Sequence, residues 1–106
     1  MQTIKADVVI VGAGVTGAVI ARELSRYDLK VVVLEKEADV GAGGSSKANT
    51  AIVHAGYDAK PGTWKAKLNV RGVELYDQMC AELDVPYHKN GTLVVAVAED
   101  QIPHLE

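Results

Sequence analysis

The chain has 106 residues, 48% of them hydrophobic, and 11 basic against 14 acidic side chains leave it a net charge of −3. This length excludes more than about one domain of the usual ~100–200 residues, and scattered lysines in a net-acidic chain exclude a broad nucleic-acid face. A single cysteine, Cys80, excludes an intrachain disulfide, the spacing of Cys80, His54, His88 and His104 suits no metal finger, and no apolar run approaches the ~20 residues that span a bilayer. The first five residues are too few and too weakly basic for an export signal, so a cytoplasmic location is expected. At this size folding should bury roughly 60–70% of the surface the unfolded chain exposes, so a real core is possible without crosslinks.

Residues 6–11 are a short β-branched run closed by glycine, which predicts a strand apolar on both faces and therefore covered on both. From residue 15 to about 27, Val15, Ala18, Val19, Ala21 and Leu24 recur at helical spacing and leave Arg22, Glu23 and Arg26 for water. Residues 30–35 repeat the strand pattern, closing a strand–helix–strand unit in which the strands should be parallel and the crossover right-handed. Residues 36–61 lose all periodicity among Gly41, Gly43, Gly44, Ser45 and Ser46, which predicts a long loop with at most one short helical turn. Loops that long are usually functional or disordered.

Residues 62 to about 83 return to helix, with Leu68, Leu75, Tyr76, Met79, Cys80 and Leu83 on one stripe. Lys65, Lys67 and Arg71 crowd the positive end of its dipole, as a solvated face or one turned to an anion. Pro86 stops that helix, and Asn90-Gly91 predicts a small β-hairpin between a short strand at Tyr87-His88 and a longer one over residues 92–97. Asp100 reads as the cap of one more helix, with Pro103 in its first turn. The fold class is α/β: a Rossmann-like βαβ unit, then a long loop, a helix and a hairpin, together an incomplete doubly wound domain.

Gly12, Gly14 and Gly17 stand in G-x-G-x-x-G register between the first strand and the first helix. In that setting the first glycine permits a tight turn, the second lets main chain approach a diphosphate, and the third lets helix pack on strand. The helix start, Thr16 included, supplies free N–H groups and a positive dipole end to phosphate. Glu35 closes the second strand, where its carboxylate can accept from both hydroxyls of an adenosine ribose and would repel a 2′-phosphate. This order of elements predicts a dinucleotide site, and spacing alone leaves NAD and FAD open.

Residues 43–57, from Gly43-Gly44-Ser45-Ser46 through Asn49-Thr50 to His54-Ala55-Gly56-Tyr57, closely resemble the second flavin loop of the D-amino-acid-oxidase-like FAD oxidoreductases. With residues 61–69 (Pro61-Gly62-Thr63-Trp64 onward) they resemble the glycerol-3-phosphate dehydrogenase and L-2-hydroxyglutarate oxidase branch of that superfamily. The resemblance implies FAD as cofactor, hydride transfer from a CH–OH donor to the flavin, and a small-molecule substrate. It also implies that Glu35 and Lys36 hold the adenosine end, and that Ser45, Ser46, Asn49 and Thr50 line the phosphate and ribityl path. By the resemblance His54 would lie beside the flavin ring as a general base; spacing alone favours a loop histidine bonded to backbone. An amine or amino-acid oxidase would share the same cofactor loops, and a nucleotide-binding chain without activity would share the glycines. The electron acceptor stays open, as does attachment of a full-length enzyme to a membrane surface.

His88 and His104 are expected at the surface, Cys80 in the core, and Tyr57 and Trp64 packed beneath the loop. A first strand lacking its second neighbour would be a bare edge, so the chain is expected to be the N-terminal fragment of a longer enzyme and inactive alone.

Overall fold

In the computed structural model, which describes residues 3–105, the β-branched run Val8–Val11 forms strand β1. It pairs in parallel with β2, Val31–Leu34, with Val8 opposite Val31 and Val11 opposite Leu34. Asp7 extends the pairing by one residue: its N–H donates to the Lys30 carbonyl at 3.0 Å and its carboxylate accepts the Lys30 N–H at 2.8 Å. Helix α1, Val15–Leu24, crosses between the strands and packs on both. It ends three residues before the sequence pattern does, because the Ser25 hydroxyl donates to the Arg22 carbonyl at 2.6 Å and the chain tightens into three-residue turns at Arg26 and Tyr27. The long loop contains one short helical turn, α2, Gly44–Lys47.

Cover on both faces of β1 is not found. Val8 and Ile10 are half-buried while Val9 and Val11 are 53% and 85% exposed. Val15 and Ala18 of α1 likewise turn outward.

The chain divides into two compact units after Ile52, and residues from Val53 onward make up the second. Its main element is α3, Trp64–Glu82. Thr63 caps it, the side-chain Oγ1 accepting the Ala66 N–H at 3.2 Å. At the other end Asp84 adopts φ 53° and the Val85 N–H donates to the Cys80 carbonyl at 2.9 Å, a Schellman closure normally given to glycine. The inward stripe differs from the one expected: Ala66, Asn69, Val73, Tyr76, Met79 and Cys80 are half-buried or buried, whereas Leu68, Leu75 and Leu83 are exposed. The true stripe follows 3–4 spacing through a small and a polar residue, which a search for large apolar side chains passes over. The basic start of α3 is a solvated face, with Lys67 Nζ 5.2 Å from the Trp64 ring centroid and Arg71 paired to Glu74 at 2.8 Å. Trp64 and Tyr57 are exposed, contrary to the packed positions expected of them.

The expected hairpin is absent. Among the described residues no strand forms over Tyr87-His88 or over residues 92–97. Gly91 does turn, at φ 77°, but residues 87–89 are held to α3 instead: the Tyr87 ring stacks at a tilt on Tyr76, 5.3 Å between centroids, and Lys89 pairs with Asp77. Residues 92–97 therefore lack the partner that a strand's main chain requires. Asp100 is not a cap; a short 3-10 helix, Glu99–His104, starts after Ala98, with Asp100 in its first turn and Pro103 in its second. His88 is exposed as expected, and the side chain of His104 lies outside the described residues.

Among the described residues no core of large side chains forms. The buried apolar residues among those described are Ala13, Ala59 and Cys80, all small, and no large side chain is fully buried.

Candidate functional site

β1 runs straight into the glycine turn. Gly12 sits at φ 100°, a conformation that side-chain-bearing residues rarely adopt, and its N–H donates to the Leu34 carbonyl at 2.7 Å. A Cβ on Gly17 would lie 2.0 Å from the Gly12 carbonyl oxygen and 3.3 Å from Ile10 Cγ2, so the third glycine is what lets α1 reach the strand. Gly14 is the residue before α1 and offers no side-chain cap. That role is taken from a distance: Ser46 Oγ accepts the Val15 N–H at 2.9 Å, and a Cβ on Gly14 would meet the same hydroxyl at 3.0 Å. Among the described residues no acceptor takes the amides of Gly14, Thr16 and Gly17. Unpaired amides at the start of a ten-residue helix form a natural seat for a phosphate group.

Glu35 leaves β2 and folds back on this turn. Oε2 accepts the Ala13 N–H at 2.7 Å, while Oε1 accepts the N–H groups of Lys36 and Glu37 at 2.8 and 2.9 Å. These main-chain donors, that of Glu37 foremost and then that of Ala13, hold its carboxyl below the ordinary glutamate range of about 4.5. Beside it opens a cleft of about 350 Å³, at the small end for a small-molecule site. Gly12, Gly14, Glu35 and Lys36 line it, joined by Glu37, Gly41, Gly43 and Gly44.

The structure thus brings Gly12, Gly14, Thr16, Gly17, Glu35 and Ser46 to one end of α1, and Lys36 to the same cleft. Lys36 Nζ lies 3.6 Å from a Glu37 carboxylate oxygen and is solvated. Asn49 spends its side chain on the loop itself: Nδ2 donates to the Ser45 and Ser46 carbonyls at 3.1 and 3.2 Å, and Oδ1 accepts the Ala51 N–H at 2.8 Å. Ser45 and Thr50 are exposed, and His54 is exposed in the second unit. Sequence reasoning passed over three features: the Glu35–Ala13 bond, the Ser46 cap, and the lining role of Gly41, whose N–H donates to the Ala13 carbonyl at 2.9 Å. The density of glycine after β2 was the available signal for the last.

A parallel βαβ unit with an amide-lined glycine turn and an acid at the end of its second strand defines a dinucleotide-binding protein of Rossmann type. More narrowly, residues 7–106 match the model of the DAO family, FAD dependent oxidoreductase, and the chain belongs to that family. Its cofactor is FAD, and the donor set described above suits the diphosphate of such a group.

The chain is 56% identical over 99 residues to the glycerol 3-phosphate dehydrogenase of Caloramator mitchellensis, covering 93% of this chain and 20% of that protein. It is 41% identical to the mitochondrial L-2-hydroxyglutarate dehydrogenase of Arabidopsis thaliana, covering 96% and 21%. It is 42% identical to the glycerol 3-phosphate oxidase of Mycoplasma genitalium, covering 95% and 26%. The chain spans about a fifth to a quarter of the length of these curated relatives. Among the described residues no helix is long and apolar enough to cross a membrane, and no cluster of side chains could hold a metal ion.

Proposed function

We propose that this chain is the part of a flavin-dependent oxidoreductase that seats the adenosine and diphosphate of FAD, in an enzyme oxidising a CH–OH donor. The observation that carries the reading is the set of open amides at Gly14, Thr16 and Gly17, with the Ser46 hydroxyl beside them. Glycerol 3-phosphate is the first substrate and a 2-hydroxy acid the second, following the names of the relatives.

In this reading the main chain of the glycine turn and the Ser46 hydroxyl hold the diphosphate. Glu35 accepts from the ribose, and Lys36 contributes charge at the adenosine end. Ser45, Asn49 and Thr50 line the path that follows, Asn49 by shaping the loop. The flavin, when bound, supplies the hydride acceptor. His54 takes the proton from the substrate hydroxyl as hydride leaves the adjoining carbon, a task suited to an imidazole.

The test is a titration of the chain with FAD followed by flavin fluorescence, with ADP as competitor and Gly14→Val as the control. Saturable binding displaced by ADP and abolished in the variant is expected; absence of saturable binding overturns the cofactor assignment. The substrate assignment is tested on FAD-loaded enzyme bearing this sequence, by anaerobic bleaching of flavin absorbance with glycerol 3-phosphate or L-2-hydroxyglutarate. His54→Gln should slow bleaching; unchanged bleaching removes His54 from the reaction.

A further inference from the structure

Ala13 is the residue between Gly12 and Gly14 and is buried, at 4% exposure. Its sole hydrogen-bond acceptor among the described residues is Glu35 Oε2, 22 residues away in sequence at 2.7 Å. We propose that Glu35 is the positioning residue of the glycine turn, its carboxylate latching Ala13 so that the neighbouring amides stay aligned to receive a diphosphate. The inference rests on the cofactor reading above and adds to it, since a glutamate engaged only with ribose would leave the turn as it is.

Two physical arguments support the latch. A buried N–H deprived of its acceptor bears the full cost of desolvation, so the turn moves when the carboxylate is lost. A carboxylate also has about four lone-pair sites, and main-chain donors fill one on Oε2 and two on Oε1. One site, on Oε2, remains for a ribose hydroxyl, where the sequence led to the expectation of two. The lowered carboxyl pKa agrees with this occupancy, because the same three amides favour the charged form.

Inorganic pyrophosphate, which has no ribose, separates the two roles. Calorimetric titration of the chain and of Glu35→Gln should show pyrophosphate affinity falling about tenfold, the equivalent of one charge-assisted hydrogen bond. A glutamate that touches only ribose gives the opposite sign, since removing a negative charge beside an anion site strengthens anion binding. Unchanged or tighter binding in the variant overturns the latch.

Because Glu35→Gln could unfold the turn outright, the wild type is also followed by amide proton NMR without ligand. The amide protons of Ala13, Lys36 and Glu37 should move together through one midpoint below 4.5 as the pH falls. An Ala13 amide that ignores this titration overturns the latch. If the three amides titrate together but the wild type binds neither pyrophosphate nor FAD, the latch stands and the cofactor reading fails.

Discussion

A methyl group at residue 17 would meet the Gly12 carbonyl oxygen at 2.0 Å, a distance that no rotamer change relieves because the obstacle is main chain. Gly17→Ala is therefore expected to push α1 off β1, costing about 1–3 kcal/mol as overpacking does, and to weaken FAD binding in parallel; urea unfolding and flavin titration of the same variant measure both. Asp84 is the opposite case, a side chain in a left-handed position at φ 53° where space is not the difficulty. Asp84→Gly should raise stability by up to about 1 kcal/mol by removing that strain, seen as a higher denaturation midpoint with unchanged slope. Glu35 makes the site sensitive to acid. Its carboxyl is lowered in the folded chain, so its contribution is complete above the ordinary value of 4.5 and disappears as the pH falls through the lower native value. FAD retention should accordingly persist to pH 4.5 and drop below it, and Glu35→Gln should abolish that step.

At the level of elements, β1, α1 and β2 were legible because each is specified locally: β-branched residues for the strands, 3–4 spacing for the helix, and glycines at the turn between them. The start of α3 was legible in principle from Thr63, whose side chain caps it. Thr63→Ala should cost about 1 kcal/mol, read as a lower thermal midpoint in circular dichroism. The hairpin over residues 87–97 was misread because Asn90-Gly91 encodes a turn and nothing more. Whether the flanking segments pair depends on rivals for them, and the Tyr76 ring and the Asp77 carboxylate win residues 87–89. The inward stripe of α3 was misread for a related reason: Leu68 and Leu75 are the larger side chains, yet the face holding Ala66, Asn69 and Val73 is the one that turns in. At the site, the glycine spacing disclosed where a phosphate would go, but Ser46 reaches the start of α1 across 31 residues and Glu35 reaches the glycine turn across 22. Interactions at such separations leave no periodic trace in a sequence.

Across the whole molecule, apolar surface without cover is the dominant feature. Val9 and Val11 on β1, Val33 and Leu34 on β2, and Leu68, Leu75 and Leu83 at α3 are all exposed. Monomers seldom leave such surface bare. The isolated chain should bind a hydrophobic dye and self-associate as its concentration rises; Val9→Thr with Val11→Thr should reduce both, and a dye-silent, concentration-independent wild type would contradict this. Val11 is at once the last residue of that bare strand face and the covalent neighbour of Gly12. Were a covering surface on Val11 to stiffen the bend next to it, shelter for the strand and uptake of coenzyme would be thermodynamically reciprocal. Whatever factor the first adds to the affinity for the second, the second returns to the first.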